Sequence, residues 1–374
     1  MYVKGVGMTR FTFDNRSTVL STHDSVKQAL DDADMKVDDI DLAVISTVDS
    51  KNNGENQRHY PPMLASILKK KIPIIRNPAV CGGGGVAFWN ALRMDYDNIL
   101  VVATDKVATN TSPKITQEIL NAAERVWEQE EGMNFPTENA LVAQEHMNKY
   151  GTTSDDLALI AEKNHGYASN NPKAHFYNKK VTLDMIKKSP VVASPLRLMD
   201  CSISVNGSAS AILTKDKTDI EVKGSGLATD YLAPFEREDL STWRAVINSS
   251  KKAYEMSGTS PNDIDVAELH DAFTILELIQ YEDLGFAKKG QGGKFIQDGE
   301  SLLDGKLPVN TSGGLKARGH PISPTGMAQI FEIVKQLRGE CGDRQVTDAK
   351  TGLTCNIGGA GGSITTHLFK KINR

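Results

Sequence analysis

Four short segments hold the residue types that could do covalent chemistry. The first is Asn77-Pro78-Ala79-Val80-Cys81-Gly82-Gly83-Gly84-Gly85, a cysteine followed by four glycines at the start of an apolar helical stretch, Val86–Met94. Four glycines are entropically costly unless another backbone or a ligand must come close. Free N–H groups and the positive end of a helix dipole favour a thiolate, the reactive form of cysteine. A lone cysteine is otherwise most often a small buried hydrophobe, so the loop alone does not settle the role of Cys81.

Two histidine segments sharpen the reading. Glu268-Leu269-His270-Asp271-Ala272-Phe273 sits where a buried strand gives way to a helix expected over Thr274–Leu284. That is where α/β proteins place their sites, and His270 there could hold a water or donate a hydrogen bond, although for this motif alone a satisfied core histidine is the commoner case. Asn310-Thr311-Ser312-Gly313-Gly314-Leu315-Lys316-Ala317-Arg318-Gly319-His320-Pro321 precedes a helix expected over Met327–Leu337. An imidazole such as His320 is the natural base for a thiol near neutral pH. The fourth segment, Thr354-Cys355-Asn356-Ile357-Gly358-Gly359-Ala360-Gly361-Gly362, leads into a strand over Ser363–Phe369, and its glycine amides could donate to an oxyanion.

The elements that must position these segments occur twice. Val3-Lys4-Gly5-Val6-Gly7 is echoed by Val222-Lys223-Gly224-Ser225-Gly226, and Asp39-Ile40-Asp41-Leu42-Ala43 by Asp263-Ile264-Asp265-Val266-Ala267. Between them, Ser25, Lys27 and Ala29 match Ser249, Lys251 and Ala253. Each copy reads as strand, helix (about 22–34 and 246–257), turn and strand (42–47 and 266–270). Two matches in one order indicate duplication. Alternating strands and helices indicate α/β architecture with helix-covered sheets. The expected division is 1–217 and 218–374, with an inserted segment at about 107–196 that has no counterpart in the second half. The insertion holds an amphipathic stretch (Ile115–Glu130), a helix (Glu138–Tyr150) and a basic tract including Lys163, Lys173, Lys179, Lys180, Lys187, Lys188 and Arg197. That tract is read either as a binding surface or as a solvated face.

Composition narrows the classes. The 374 residues carry a formal net charge of −4, with 39% hydrophobic and 24% charged residues, which suits a large globular chain and gives no electrostatic reason for nucleic acid. No apolar run is long enough for a membrane span, and the N-terminus has no signal-peptide core. The four cysteines, at 81, 201, 341 and 355, form no CxxC pair, so free thiols in a reducing cytoplasm are expected, without a metal site.

The ordered set of motifs resembles the thiolase family, and within it the archaeal and sterol-carrier-protein-2-like acetyl-CoA acetyltransferases. The likeness runs through the Cys81 loop, Ala140–Met147, Pro195–Ser202, Asn206–Ala209, His-Asp-Ala-Phe, Asn-x-Ser-Gly-Gly through Gly-His-Pro, and Asn-Ile-Gly-Gly. It implies two βαβαβαββ halves in a five-layered α-β-α-β-α core with an inserted loop domain. It also implies homodimers or tetramers, coenzyme A thioesters as substrates and no further cofactor. Partners implied by resemblance alone are hydroxymethylglutaryl-CoA synthase and a small OB-fold, zinc-ribbon-like protein. The implied reaction condenses two acetyl-CoA to acetoacetyl-CoA plus CoA through acetyl-Cys81, supplying mevalonate synthesis. In it His320 is the base, His270 holds a water, and the N–H groups of Cys81 and Gly358 form the oxyanion hole. Asn310, Ser312, Gly313, Gly314 and Asn356 fall in the active-site loops. Asn356 departs from the usual family pattern, which has cysteine there, and residue 272 is alanine where related chains have a second cysteine. Cys355, or His320 acting in both steps, is then left as the second acid/base. Competing readings are a degradative 3-ketoacyl-CoA thiolase and a non-catalytic acyl-CoA-binding scaffold.

Overall fold

The computed structural model describes residues 1–48, 53–108 and 112–372, with the backbone alone at 112–114. The strands are β1 (Tyr2–Met8), β2 (Leu42–Ser46), β3 (Ile74–Arg76), β4 (Asn98–Lys106), β5 (Val191–Ala193), β6 (Leu196–Arg197), β7 (Asn206–Thr214), β8 (Ile220–Thr229), β9 (Val266–Glu268), β10 (Thr351–Gly358) and β11 (Ser363–Lys371). β5 and β6 form a small separate hairpin, and the others join in the order β3-β2-β4-β7-β1-β8-β11-β10-β9. The order is symmetric about the β1–β8 seam, where Tyr2 pairs with Glu221 and Val3 with Ile220 in antiparallel register. At the far edge Val309 bridges Ala267 in parallel, mirroring β3 beside β2.

The seam turns one half-sheet to face the other, with two helices between them. Gly83–Ala91 packs on β2 and β4 of the first half and on β8 and β11 of the second, and Pro324–Arg338 likewise touches strands of both. Thr18–Ala33 and Tyr60–Leu68 cover the outer face of the first half-sheet, and Arg244–Ser257 covers β8 and β11. The layers therefore run α-β-α-β-α in two duplicated halves. A strand between two helical layers is buried on both sides, which explains the continuous apolar run of β4, with Ile99, Leu100, Val101 and Val102 all inaccessible to solvent. Removing such side chains from water contributes about 1.5–3 kcal/mol apiece.

The repeated Gly-x-Gly has a packing cause. A Cβ at Gly5 or Gly7 would collide with the backbone of Thr18–Ala33 at Ala29 and Ser25, and one at Gly224 or Gly226 would collide with Ala253 and Ser249. Each outer helix lies directly on its strand. Serines in the contact pair through hydroxyls: Ser25 Oγ with Ser208 and Ser210 at 2.7 and 2.8 Å, and Ser249 Oγ with Thr366 at 2.9 Å.

Between β4 and β7 lie the helices Ser112–Leu120, Phe135–Tyr150, Ser154–Ser169 and Leu183–Lys187. The single amphipathic element expected over Ile115–Glu130 is instead broken after Leu120, and a one-turn π-helix, Arg125–Gln129, follows. The basic tract is not one surface. Lys163 is buried, with its ammonium on the Glu277 carboxylate at 2.5 Å and the Val309 carbonyl at 2.8 Å. Lys173 ties Met8 and Gln28, while Lys187 and Lys188 pair with Asp155 and Asp184. Among the described residues no helix is long and apolar enough to cross a membrane.

Candidate active site

Cys81 lies in a one-turn 3-10 helix, Val80–Gly82, that runs straight into Gly83–Ala91. The helix starts earlier than Val86, and Gly83, Gly84 and Gly85 are its first turn. Their need is close approach: a Cβ would strike Ser46 and Ser323 at Gly83, the Ser323 carbonyl at Gly84, and Thr365 and Asn356 at Gly85. Just before the cysteine, Val80 has φ 48°, a left-handed conformation that a β-branched residue rarely adopts. Such strain costs of the order of 1–3 kcal/mol and persists only where neighbours impose it. Here Ser323 donates to the Val80 carbonyl at 3.3 Å and accepts from Gly84 N–H at 3.1 Å.

The thiol is not the ready thiolate that a helix N-terminus suggests. Burial pushes Cys81 up to about 12, against the opposing pull of the Gly359 N–H, with the charge of Asp105 raising it further. It needs a base. His320 is 6% exposed, and burial together with the charge of Arg318 pushes its imidazole down to about 3, so it is neutral at working pH. Its Nδ1 lies 2.7 Å from Thr325 Oγ1, which leaves Nε2 to take a proton. His270 is its neighbour, with ring centroids 5.5 Å apart and planes at 86°. His270 Nδ1 accepts from the Ile357 N–H at 3.2 Å and lies 3.2 Å from Asn356 Nδ2. With two donors at Nδ1, its proton belongs on Nε2, making that atom a hydrogen-bond donor. Burial, then His320 and Arg318, hold its pKa well below the ordinary histidine value.

Asn356 joins the two halves of the site. Its Nδ2 donates to the Cys81 carbonyl at 3.2 Å as well as facing His270, and its Oδ1 accepts from Gly85 N–H at 3.2 Å. Gly358 packs against the same turn, where a Cβ would come within 2.8 Å of the Ala79 carbonyl oxygen and 3.3 Å of Gly82 N. Cys355 is not brought in. Successive side chains of a strand alternate in face, so Asn356 turns inward while Cys355 packs in the outer core with Leu353, Ile357 and Trp243. Burial pushes its thiol up to about 12. The expectation that Cys355 acts as an acid/base is corrected on that ground.

The loop residues Asn310, Ser312, Gly313 and Gly314 form the support behind the histidines. Asn310 accepts from Leu269 N–H at 2.7 Å and donates to Glu277 at 2.7 Å. Ser312 donates from Oγ to Glu268 at 2.6 Å. Gly313 and Gly314, at φ 98° and 59°, let the chain turn against Ala168 and Asp271.

Several supports were not read from the sequence. Glu268 and Arg318, each two residues ahead of a histidine, form an ion pair at 3.2 Å with both side chains buried. Asp271 accepts from Leu315 N–H at 2.6 Å and from Asn164 at 2.7 Å. Asp105 accepts from Thr47 Oγ1 at 2.8 Å, Val48 N–H at 2.9 Å and Ser323 N–H at 2.8 Å, and burial pushes it up to about 7. Only the position of Asp105 at the end of an apolar strand signalled it.

A cavity of about 320 Å³ adjoins Cys81, lined by Val48, Val80, Val107, Ile119 and Ile322 with Arg76 and Glu118 among its polar walls. A larger open hollow of about 730 Å³, around Lys251, Glu255 and Lys289, is lined by none of the candidate residues. Among the described residues no cluster of His, Cys, Asp or Glu fits a metal ion.

The chain is similar to known proteins over most of its length. The profile of the family described as "Thiolase C-terminal domain-like" matches residues 226–371. The chain is 40% identical over 355 residues to an acetyl-CoA acetyltransferase of Methanothermobacter thermautotrophicus, covering 92% of each chain. It is 38% identical to an acetyl-CoA acetyltransferase of Methanocaldococcus jannaschii, over 84% of each. Sterol carrier protein 2 of Bos taurus is 33% identical over 99% of this chain and 72% of its own length. Among solved structures, an "Ltp2-ChsH2(DUF35) aldolase" superposes with a TM-score of 0.84 at 25% identity, covering 99% of this chain and 97% of that one. By fold, by duplicated architecture and by these relatives, the chain belongs to the thiolase family.

Proposed function

We propose that this enzyme condenses two acetyl-CoA molecules to acetoacetyl-CoA and free CoA, and catalyses the reverse thiolysis, through an acetyl group carried on Cys81. His320 Nε2 takes the Cys81 proton as sulfur attacks the first thioester, which splits one difficult transfer into two. The N–H groups of Cys81 and Gly358 receive the oxyanion. The sulfur of CoA leaves with a proton returned by His320. The second thioester then places its carbonyl oxygen near His270 Nε2–H, which stabilises the enolate formed when His320 removes the α-proton. The carbanion attacks acetyl-Cys81 and the thiol is regenerated. His320 serves both steps because Cys355 faces away from the site.

The observation that carries this reading is the bridge at Asn356, which links the Cys81 carbonyl to His270, whose ring meets that of His320 edge to face. The two relatives named acetyl-CoA acetyltransferase support the choice of substrate. Incubation with acetyl-CoA followed by intact-mass measurement should add one acetyl group, mapped to Cys81, and Cys81→Ala should abolish both the adduct and thiolysis of acetoacetyl-CoA. An adduct that persists in Cys81→Ala would sink the proposal.

The cavity of about 320 Å³ favours a second reading, a 3-ketoacyl-CoA thiolase acting on longer chains. Thiolysis rates across acyl lengths separate the two. We further propose cytoplasmic homo-oligomers that supply mevalonate synthesis, in complex with hydroxymethylglutaryl-CoA synthase and a zinc-ribbon, OB-fold protein. The aldolase neighbour carries a DUF35 component in its name, which is consistent with such a partner.

A further inference from the structure

Two β-branched residues at the candidate site hold a backbone conformation that such residues rarely adopt. Val80 precedes Cys81 at φ 48°, and Ile322 follows His320 by two residues at φ 71°. Each lies in the turn that carries one of the reacting groups. A conformation of that kind persists only where its surroundings over-determine it. Here the surroundings converge on one carboxylate, that of Asp105, 4% exposed near the end of β4.

Asp105 reaches both turns. Its Oδ2 accepts from the Ser323 N–H at 2.8 Å, the amide directly after Ile322. Ser323 in turn donates from Oγ to the Val80 carbonyl at 3.3 Å and accepts from the Gly84 N–H at 3.1 Å, so it grips the chain on both sides of Cys81. Ser323 also lies between His320 and Thr325, whose hydroxyl holds the imidazole at Nδ1. Through Oδ1, Asp105 accepts from Thr47 Oγ1 at 2.8 Å and Val48 N–H at 2.9 Å, which ties in the end of β2. The walls of the cavity beside Cys81 follow from these bonds. Val48 is bonded directly, Ile322 precedes the bonded amide, Val80 is held by Ser323, and Val107 comes two residues after Asp105.

Electrostatics gives Asp105 no other use there. No cation pairs with it among the described residues, and Lys106 turns away to Glu55 at 3.3 Å. Burial pushes its carboxyl up to about 7, and its charge raises the Cys81 thiol, the reverse of activation. It does not line the cavity, so it is not placed to touch a substrate.

We propose that Asp105 is the positioning residue of the site: its carboxylate, acting through Ser323, sets the strained turns of Cys81 and His320 against each other. The inference rests on the reading that these two groups carry the acyl transfer. In Asp105→Asn the amide oxygen can still accept from Thr47 and Val48, but the amide nitrogen then faces the Ser323 N–H, donor against donor. The Ser323 turn is released while the shape of the side chain is kept.

Asp105→Asn should lower kcat for thiolysis of acetoacetyl-CoA about 100-fold, the scale of a misplacement of about 1 Å, and leave KM within about twofold. Ser323→Ala removes the hydroxyl tie to Val80 but keeps the N–H on Asp105. It should lower kcat about tenfold, the factor of one hydrogen bond. The double variant should be no slower than Asp105→Asn, because both changes act along one path. Thermal melting checks that each variant is folded at the assay temperature. Hydrogen exchange needs no turnover, and in Asp105→Asn it should quicken about tenfold at Ser323 and Gly84 while β1 and β7 stay unchanged. A kcat within about twofold of the parent, a loss confined to KM, additive effects of the two substitutions, or unaltered exchange overturns the proposal. A parent protein that does not acetylate Cys81 overturns the acyl-transfer reading instead, and the exchange rates still decide whether Asp105 holds the two turns.

Discussion

At the scale of the residue, burial keeps the candidate site's ionisable groups neutral. It holds Cys81 as a thiol and His320 as a free base, and under the proposed mechanism the proton moves only when the sulfur has a carbon to attack. Glu138, 3% exposed on the helix Phe135–Tyr150 with neither carboxylate oxygen hydrogen-bonded, gives a direct test of how burial is balanced. Its folded pKa is raised above the unfolded value, so the penalty appears as pH rises through the unfolded value and is complete above the folded one. Glu138→Leu should therefore be as stable as the parent near pH 4 and gain stability up to about pH 7, where the advantage levels off at roughly 3 kcal/mol. Urea unfolding across that range reads the slope, and an advantage independent of pH would show that packing, not charge, is responsible. Cys81, His270 and His320 were legible because their residue types announce chemistry. Thr325, Glu268 and Arg318 were not, because a hydroxyl or an ion pair acquires meaning only from what it touches.

At the scale of the element, glycine does opposite things in similar-looking places. Gly84 is the helix residue through which Gly83–Ala91 meets Ser323 and Met327, and a methyl there would strike backbone. Gly166, exposed in Ser154–Ser169, has no positive φ, and a methyl placed on it would meet nothing within 4 Å. Gly84→Ala should cost about 1–3 kcal/mol or more by overpacking, whereas Gly166→Ala should stabilise by about 0.5–1 kcal/mol through helix propensity. Thermal melting of the two variants checks the contrast, and a harmless Gly84→Ala would mean that the inner helix can shift. The repeated Val-Lys-Gly-x-Gly revealed the duplication because the collision it avoids is the same in both halves. The break after Leu120 was not legible, because the apolar spacing of Ile115–Glu130 continues across it.

At the scale of the molecule, the two histidine segments are clamped by charge. Glu268 ends β9, and Arg318 precedes His320 in the neighbouring loop, with Ser312 bonded to both. Removing one member of a buried pair strands the other. Arg318→Met should cost about 3–5 kcal/mol in urea unfolding, and loss of less than about 1 kcal/mol would show that the pair does not hold the two histidine segments together. The α/β character was legible from alternating strands and helices, and the five layers only through the family likeness, but the seam was not, because no local signal marks which edges of two similar sheets will meet.

That seam has a consequence for how the activity can be divided. The chain from β1 to β7 holds the sulfur, the chain from β8 onward holds both imidazoles, and the Asn356 carboxamide spans them. A backbone cut in the Lys215–Asp219 connection would give two inert polypeptides, and any recovery of turnover on mixing them would measure their reunion.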